Sequence, residues 1–90
     1  MVENILIFTL EGCPHCVSLK NKLLELKINF IEVDILKNEE LWNQVHQQTK
    51  HNTVPTIFFK MQGTDSGPVF APGRDFQNED EIVEIIKKHI

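Results

Sequence analysis

This chain predicts an α/β fold of order β-α-β-α-β-β-α, with a four-stranded mixed sheet and helices on both faces. Three observations carry that expectation. An apolar run gives way at Gly12 to a helical repeat, period-two alternation returns from Asn29, and two later runs separated by a turn precede a last amphipathic segment.

Ile5 to Phe8, followed by Thr9, suits a strand buried on both faces. From Pro14, the residues Cys16, Leu19, Leu23 and Leu26 fall at i, i+3, i+7 and i+10, while Lys20, Asn21, Lys22 and Glu25 are polar. That spacing predicts an amphipathic helix with proline in its first turn. "NFIEVDI", Asn29 to Ile35, sets Phe30, Glu32 and Asp34 against Ile31, Val33 and Ile35, as a second strand would. Two strands joined by one helix form a βαβ unit, hence a parallel pair with a right-handed crossover.

Asn38 before Glu39 and Glu40 reads as an N-cap with acids in the first turn, and Leu41, Trp42 and Val45 give that helix an apolar side fading near Lys50. Val54 to Met61 is a third strand, Gln62 to Gly67 a turn, and Pro68 to Ala71 a short fourth strand, together a hairpin. Asn78 and Glu81 have capping-box spacing, Ile82, Ile85 and Ile86 share a side, and Lys87, Lys88 and His89 end a last helix where its dipole favours cations. Phe58, Phe59, Phe70 and Phe76 are expected in the core or under the hairpin, and Trp42 as a packing aromatic. His46 and His89 suggest polar surface.

Ninety residues, 41% hydrophobic and 24% charged, are expected to make one domain spanning 1–90. A net charge of −4 without a Lys/Arg cluster argues against nucleic acid as a partner. The opening segment lacks a basic leader, and its apolar run is too short to span a bilayer, so a cytoplasmic protein without membrane attachment is expected.

The only cysteines are Cys13 and Cys16. A bridge between them would close too small a loop to staple a fold, which points to chemistry instead. Cys13 falls where the first strand gives way to the first helix, so unpaired backbone N–H groups should favour its thiolate. Cys16 lies on the apolar stripe and should be more buried. The expected division is that Cys13 attacks and Cys16 resolves. Pro14 stiffens the turn, and a protonated His15 beside the thiolate would make the disulfide a stronger oxidant. A C-x-x-C pair opening a helix in a βαβ pattern is a thioredoxin-like redox signal. A zinc site completed by His46 and His51 fits poorly, because a strand and a helix would intervene, and no metal is expected.

"CPHC" opening a helix, followed by "TVPTIFF", resembles the glutaredoxins within the wider thioredoxin fold, across nearly the whole chain. The resemblance implies that Thr53, Val54 and Pro55 face the cysteine pair, that Pro55 is cis, and that Val54 offers its backbone to a peptide or to glutathione. From the sequence alone, Pro55 reads equally as a strand-start proline. The family usually carries a lysine three residues before the first cysteine, where this chain has Leu10, and a Gly-Gly motif followed by Asp. Here "APGRDF" places Gly73, Arg74 and Asp75 in that register. Lys50 or His51 would contact a glutathione carboxylate.

The resemblance thus implies a monomeric dithiol oxidoreductase with glutathione as co-substrate, disulfide-containing client proteins as partners, and glutathione or a reductase closing the cycle. Two other readings stand beside it. The hairpin between Pro55 and Gly73 is longer than usual and resembles that of thioredoxins and protein disulfide isomerase domains, and CPHC is similar to the motif of periplasmic disulfide-forming oxidases; both suit an enzyme independent of glutathione. The other is a non-enzymatic glutathione or iron–sulfur-binding module, which Pro14 disfavours.

Overall fold

The greasy run near the N-terminus becomes the central strand β1 (Val2–Thr9), and the chain continues through α1 (Pro14–Glu25), β2 (Ile31–Asp34), α2 (Glu39–Thr49), β3 (Thr56–Met61), β4 (Val69–Phe70) and α3 (Glu79–His89). This computed structural model describes residues 2–64 and 66–90; Asp65, within the expected turn Gln62 to Gly67, lies outside them. The sheet order is β2-β1-β3-β4. β1 runs parallel to β2, with Phe8 opposite Val33, and antiparallel to β3, with Ile7 opposite Ile57. β3 and β4 pair antiparallel through Ile57–Phe70 and Phe58–Val69. The predicted α/β class, element order and mixed sheet are all present, and the arrangement is that of a thioredoxin fold.

Alternation along β1 and β3 divides the core between the two sheet faces. Ile5, Ile7, Ile57 and Phe59 pack with Leu19 and Leu23 of α1, Phe76, and Ile82, Val83 and Ile86 of α3. On the opposite face Phe8, Val33 and Phe58 pack with Trp42 and Val45 of α2. Trp42 is buried, its ring centroid 5.5 Å from that of Phe8, so it packs as the sequence led us to expect.

Some local expectations are revised. β2 is shorter than Asn29 to Ile35, and Ile31 is exposed because β2 is an edge strand with only Val33 well covered. Asn38 precedes α2, but its side chain makes no cap; Nδ2 donates to the Asp34 carbonyl at 3.1 Å, so it secures the incoming turn. Asn78 does cap α3, accepting the Glu81 N–H at 2.9 Å, whereas the Glu81 carboxylate takes the Gln77 N–H. His46 and His89 are more than polar surface. His46 lies against Trp42 with ring centroids 5.2 Å apart, and His89 stacks on Phe59 at 4.8 Å.

Candidate active site

The chain leaves β1 at the end of the sheet and must turn sharply to start α1. Gly12, at φ +85°, makes that turn in a conformation that side-chain-bearing residues rarely adopt. Cys13 then becomes the N-cap of α1, with Pro14 as the first helical residue. A cap side chain accepts from a first-turn N–H, and Cys13 Sγ does this, taking the Cys16 N–H at 3.3 Å. The two cysteines, both free thiols, are therefore adjacent at the helix start.

Their environments differ. Cys13 is half-buried, whereas Cys16 is 1% exposed. Burial first, and the hydrogen bond with Cys13 second, push the Cys16 thiol up to about 12. Cys16 therefore stays protonated at neutral pH, and Cys13 is the thiol within reach of a partner.

His15 is largely exposed, and its Nδ1 lies 3.0 Å from Glu79 Oε1 at the start of α3. Burial opposes ionisation of Glu79, but hydrogen bonds from His15, its own backbone N–H and Ser18 outweigh it and hold the carboxyl below the usual carboxylate range. Val54–Pro55 is a cis peptide bond, and Pro55 is buried. His15, Val54, Pro55, Pro72, Phe76 and Glu79 are among the residues enclosing a cleft of about 120 Å³. The cleft thus brings His15 of α1, Val54 and Pro55, and the start of α3 together, while Cys13, Cys16 and Thr53 do not line it.

The remaining predicted residues have local partners. Thr53 Oγ1 donates to the Pro72 carbonyl at 3.4 Å, and the Thr53 carbonyl accepts Thr56 Oγ1 at 2.6 Å. Lys50, in a left-handed conformation, closes α2 by donating its N–H to the His46 carbonyl. The His51 N–H donates to Thr49 Oγ1 at 3.1 Å, and its ring Nδ1 lies 3.0 Å from the Thr49 carbonyl. Neither Lys50 nor His51 lines the 120 Å³ cleft. Gly73, at φ +84°, Arg74 and Asp75 form a turn in which Asp75 Oδ2 accepts from the Ala71 N–H and from Arg74 Nη1, both at 2.8 Å.

Sequence reasoning missed two clusters. Glu79 carries no motif signal, because it meets His15 only when α1 and α3 pack together. A second cleft, of about 420 Å³, has Thr9, Cys16, Lys20 and Glu32 among its lining residues. In it Glu32 Oε2 accepts from Lys20 Nζ at 2.7 Å and from Thr9 Oγ1 at 2.8 Å. The hydrogen bond from Lys20, then that from Thr9, holds the Glu32 carboxyl below the usual range. The pairing of β1 with β2 creates this cluster, which no local pattern encodes. Among the described residues there is no group of three or more His, Cys, Asp or Glu poised to hold a metal, and no helix long and apolar enough to cross a membrane.

Sheet order, a paired thiol at the start of α1 and a cis-proline segment beside it define a thioredoxin-fold protein of the dithiol type. Residues 5–63 match the glutaredoxin family model, and the chain belongs to the glutaredoxin family. It is 33% identical over 61 residues to glutaredoxin-2 of Schizosaccharomyces pombe, an alignment covering 64% of this chain and only 56% of that relative's length. Among solved structures, the thioredoxin-like protein BC3987 superposes with a TM-score of 0.67 at 23% identity, covering 97% of this chain and all of that one. A buckwheat glutaredoxin–glutathione complex gives 0.64 at 16% identity, over 94% of this chain and 69% of the other. A glutaredoxin from Brucella melitensis gives 0.58 at 23% identity, over 97% and 82%. At these identities the structural likenesses speak for the fold.

Proposed function

We propose that the chain is a small dithiol thiol–disulfide oxidoreductase that draws its electrons from glutathione. The observation that carries this reading is the asymmetry of the pair: Cys13 caps α1 with its sulfur accepting an N–H, while Cys16 beside it is buried and protonated. Cys13 thiolate attacks a client disulfide, forming a mixed disulfide and releasing one client thiolate. Cys16 then attacks Cys13 Sγ, the client's second sulfur leaves with the bonding pair, and a Cys13–Cys16 disulfide remains. Two glutathione molecules return it to the dithiol and become glutathione disulfide.

Family membership supports the glutathione assignment, as does the likeness to a glutaredoxin solved with glutathione. In this reading Val54 and Pro55 form the wall on which the tripeptide backbone lies, with Thr53 flanking it. Lys50, His51, Gly73, Arg74 and Asp75 form the outer contacts. Residues 1–90 act as one domain, a monomer in the cytoplasm.

A thioredoxin-like reading, with a protein reductase or client in place of glutathione, has its own support. The 120 Å³ cleft is lined by no lysine or arginine to meet glutathione's carboxylates, and Leu10 stands where the family usually has lysine. The deciding experiment is turnover of a small glutathione mixed disulfide, coupled to glutathione and its reductase, for wild type and Cys16→Ser. Turnover in both supports the glutaredoxin reading, and its loss in Cys13→Ser supports the attacking role. No turnover in either, with insulin disulfides still reduced under dithiothreitol, establishes the alternative.

A further inference from the structure

The dithiol route requires a proton to leave a thiol that the fold keeps protonated. Cys16 is 1% exposed, and that burial is the foremost cause that pushes its thiol up and disfavours the thiolate at pH 7. Once Cys13 is bound in a mixed disulfide its own effect on Cys16 changes, but the burial stays. Some feature of the fold must make the resolving thiolate accessible.

The 420 Å³ cleft reaches Cys16, and the charged groups facing it are Glu11, Lys20, Glu32, Asp34 and Lys37. Lys20 stands one helical turn after Cys16 on the same side of α1. Its Nζ is held at 2.7 Å by Glu32 Oε2, which Thr9 Oγ1 fixes in turn at 2.8 Å. Thr9 is itself buried, so the anchor rests on the sheet. Against burial, a backbone hydrogen bond at Leu10 favours Cys16 ionisation most, and the Lys20 charge adds to it in the same direction. Glu32 is a poor proton acceptor, since the same contacts keep its carboxyl below the usual range.

We propose that Lys20, anchored by Glu32 and Thr9, is the positioning residue that makes Cys16 ionise in the resolving step. The inference rests on the dithiol reading given above. In that step the Cys16 proton passes to water in the cleft and the ammonium stabilises the thiolate left behind. The thiolate pair forms the Cys16–Cys13 bond as the bond from Cys13 to the client sulfur breaks. The client sulfur departs as a thiolate with the electron pair of the broken bond and takes a proton from solvent. An ordinary surface ion pair would instead only tie α1 to β2, contributing about 0–1 kcal/mol of stability.

The test uses the neutral disulfide dithiodipyridine, whose thione product is coloured. Stopped-flow mixing with the reduced protein gives a first release as Cys13 attacks and a second as Cys16 displaces the remaining thione from Cys13. In Lys20→Met the second phase is expected to slow by about tenfold, the effect of losing one nearby charge, and its pH profile to move upward. The first phase should stay at the wild-type rate and Lys20→Arg should restore the second. A second phase unchanged in Lys20→Met, or both phases slowed alike, overturns the role of Lys20 while leaving the dithiol reading intact. A wild-type protein with a first phase and no second overturns the dithiol reading and this inference together.

Discussion

His15 Nδ1 and Glu79 Oε1 lie 3.0 Å apart, although 64 positions separate the residues in the chain. One belongs to the first turn of α1 and the other opens α3, so the contact joins two positive helix ends through one carboxylate.

Glu79→Gln should therefore reduce stability at pH 7 by roughly 0.5–1 kcal/mol, a modest value because His15 is 73% exposed and the pair is screened. The Glu79 carboxyl is held below its usual range, so its contribution is present above the unfolded carboxylate value and is lost as pH falls through the folded one. Urea denaturation of wild type and variant should show a gap at pH 7 that closes toward pH 3. A gap of equal size at both pH values would contradict the assignment.

His15→Tyr should make the reduction potential of the cysteine pair more negative, because the imidazole between the two cysteines no longer favours the reduced form. Equilibration in glutathione redox buffers reads this directly. An unchanged potential would leave His15 with its structural contact to Glu79 alone.

Iodoacetamide at pH 7 should place a single adduct on the native reduced protein, at Cys13, with Cys16 reacting only after unfolding. Peptide mass spectrometry identifies the site. The raised Cys16 thiol also has a stability consequence. Burial favours its protonated form, so the contribution is fully present below about 9 and drains away as pH rises toward about 12. Cys16→Ala should flatten that alkaline decline in a series of melting curves.

Gly67→Ala should destabilise the hairpin by about 1–3 kcal/mol, the usual scale of overpacking. A Cβ at this position would stand 1.8 Å from the Phe59 carbonyl oxygen, and that oxygen is backbone, which cannot swing aside. Thiol reactivity of Cys13 should remain at the wild-type level, since the hairpin turn and the cysteines sit at different places on the fold. Chemical denaturation alongside an alkylation rate separates the two effects.

Asp75→Ala should cost about 1–3 kcal/mol by leaving the N–H of buried Ala71 without its acceptor. Asp75→Asn retains an acceptor oxygen and should recover most of that loss in the same denaturation assay.

The fold was legible because each element carried its own signal: the repeat of Cys16, Leu19 and Leu23 for α1, the alternation around Val33 for β2, and the Asn78 cap for α3. Local signals were weaker at edges. Ile31 kept its strand alternation but lost its burial, because edge position is a property of the assembled sheet. The cysteine pair and the Val-Pro segment were readable as motifs. Glu79, Glu32 and Lys20 were not, since their partners come from other elements and charged residues on amphipathic helices look alike in sequence. His89 is exposed as expected, but its stacking on Phe59 was not legible, because it depends on where α3 ends against the sheet.

The two apolar clusters on either side of the sheet are unequal in size. α2 is fastened through Trp42 and Val45 to the smaller one, while α1 and α3 share the larger with the inner strands. Breathing of the molecule should accordingly begin at α2, whose amides would exchange with solvent ahead of those of β1 and β3. Because Cys16 sits on the helix fastened to the larger cluster, such an excursion leaves the dithiol assembled. One flank of the molecule is thus expected to loosen first while the end that carries the cysteines keeps its form.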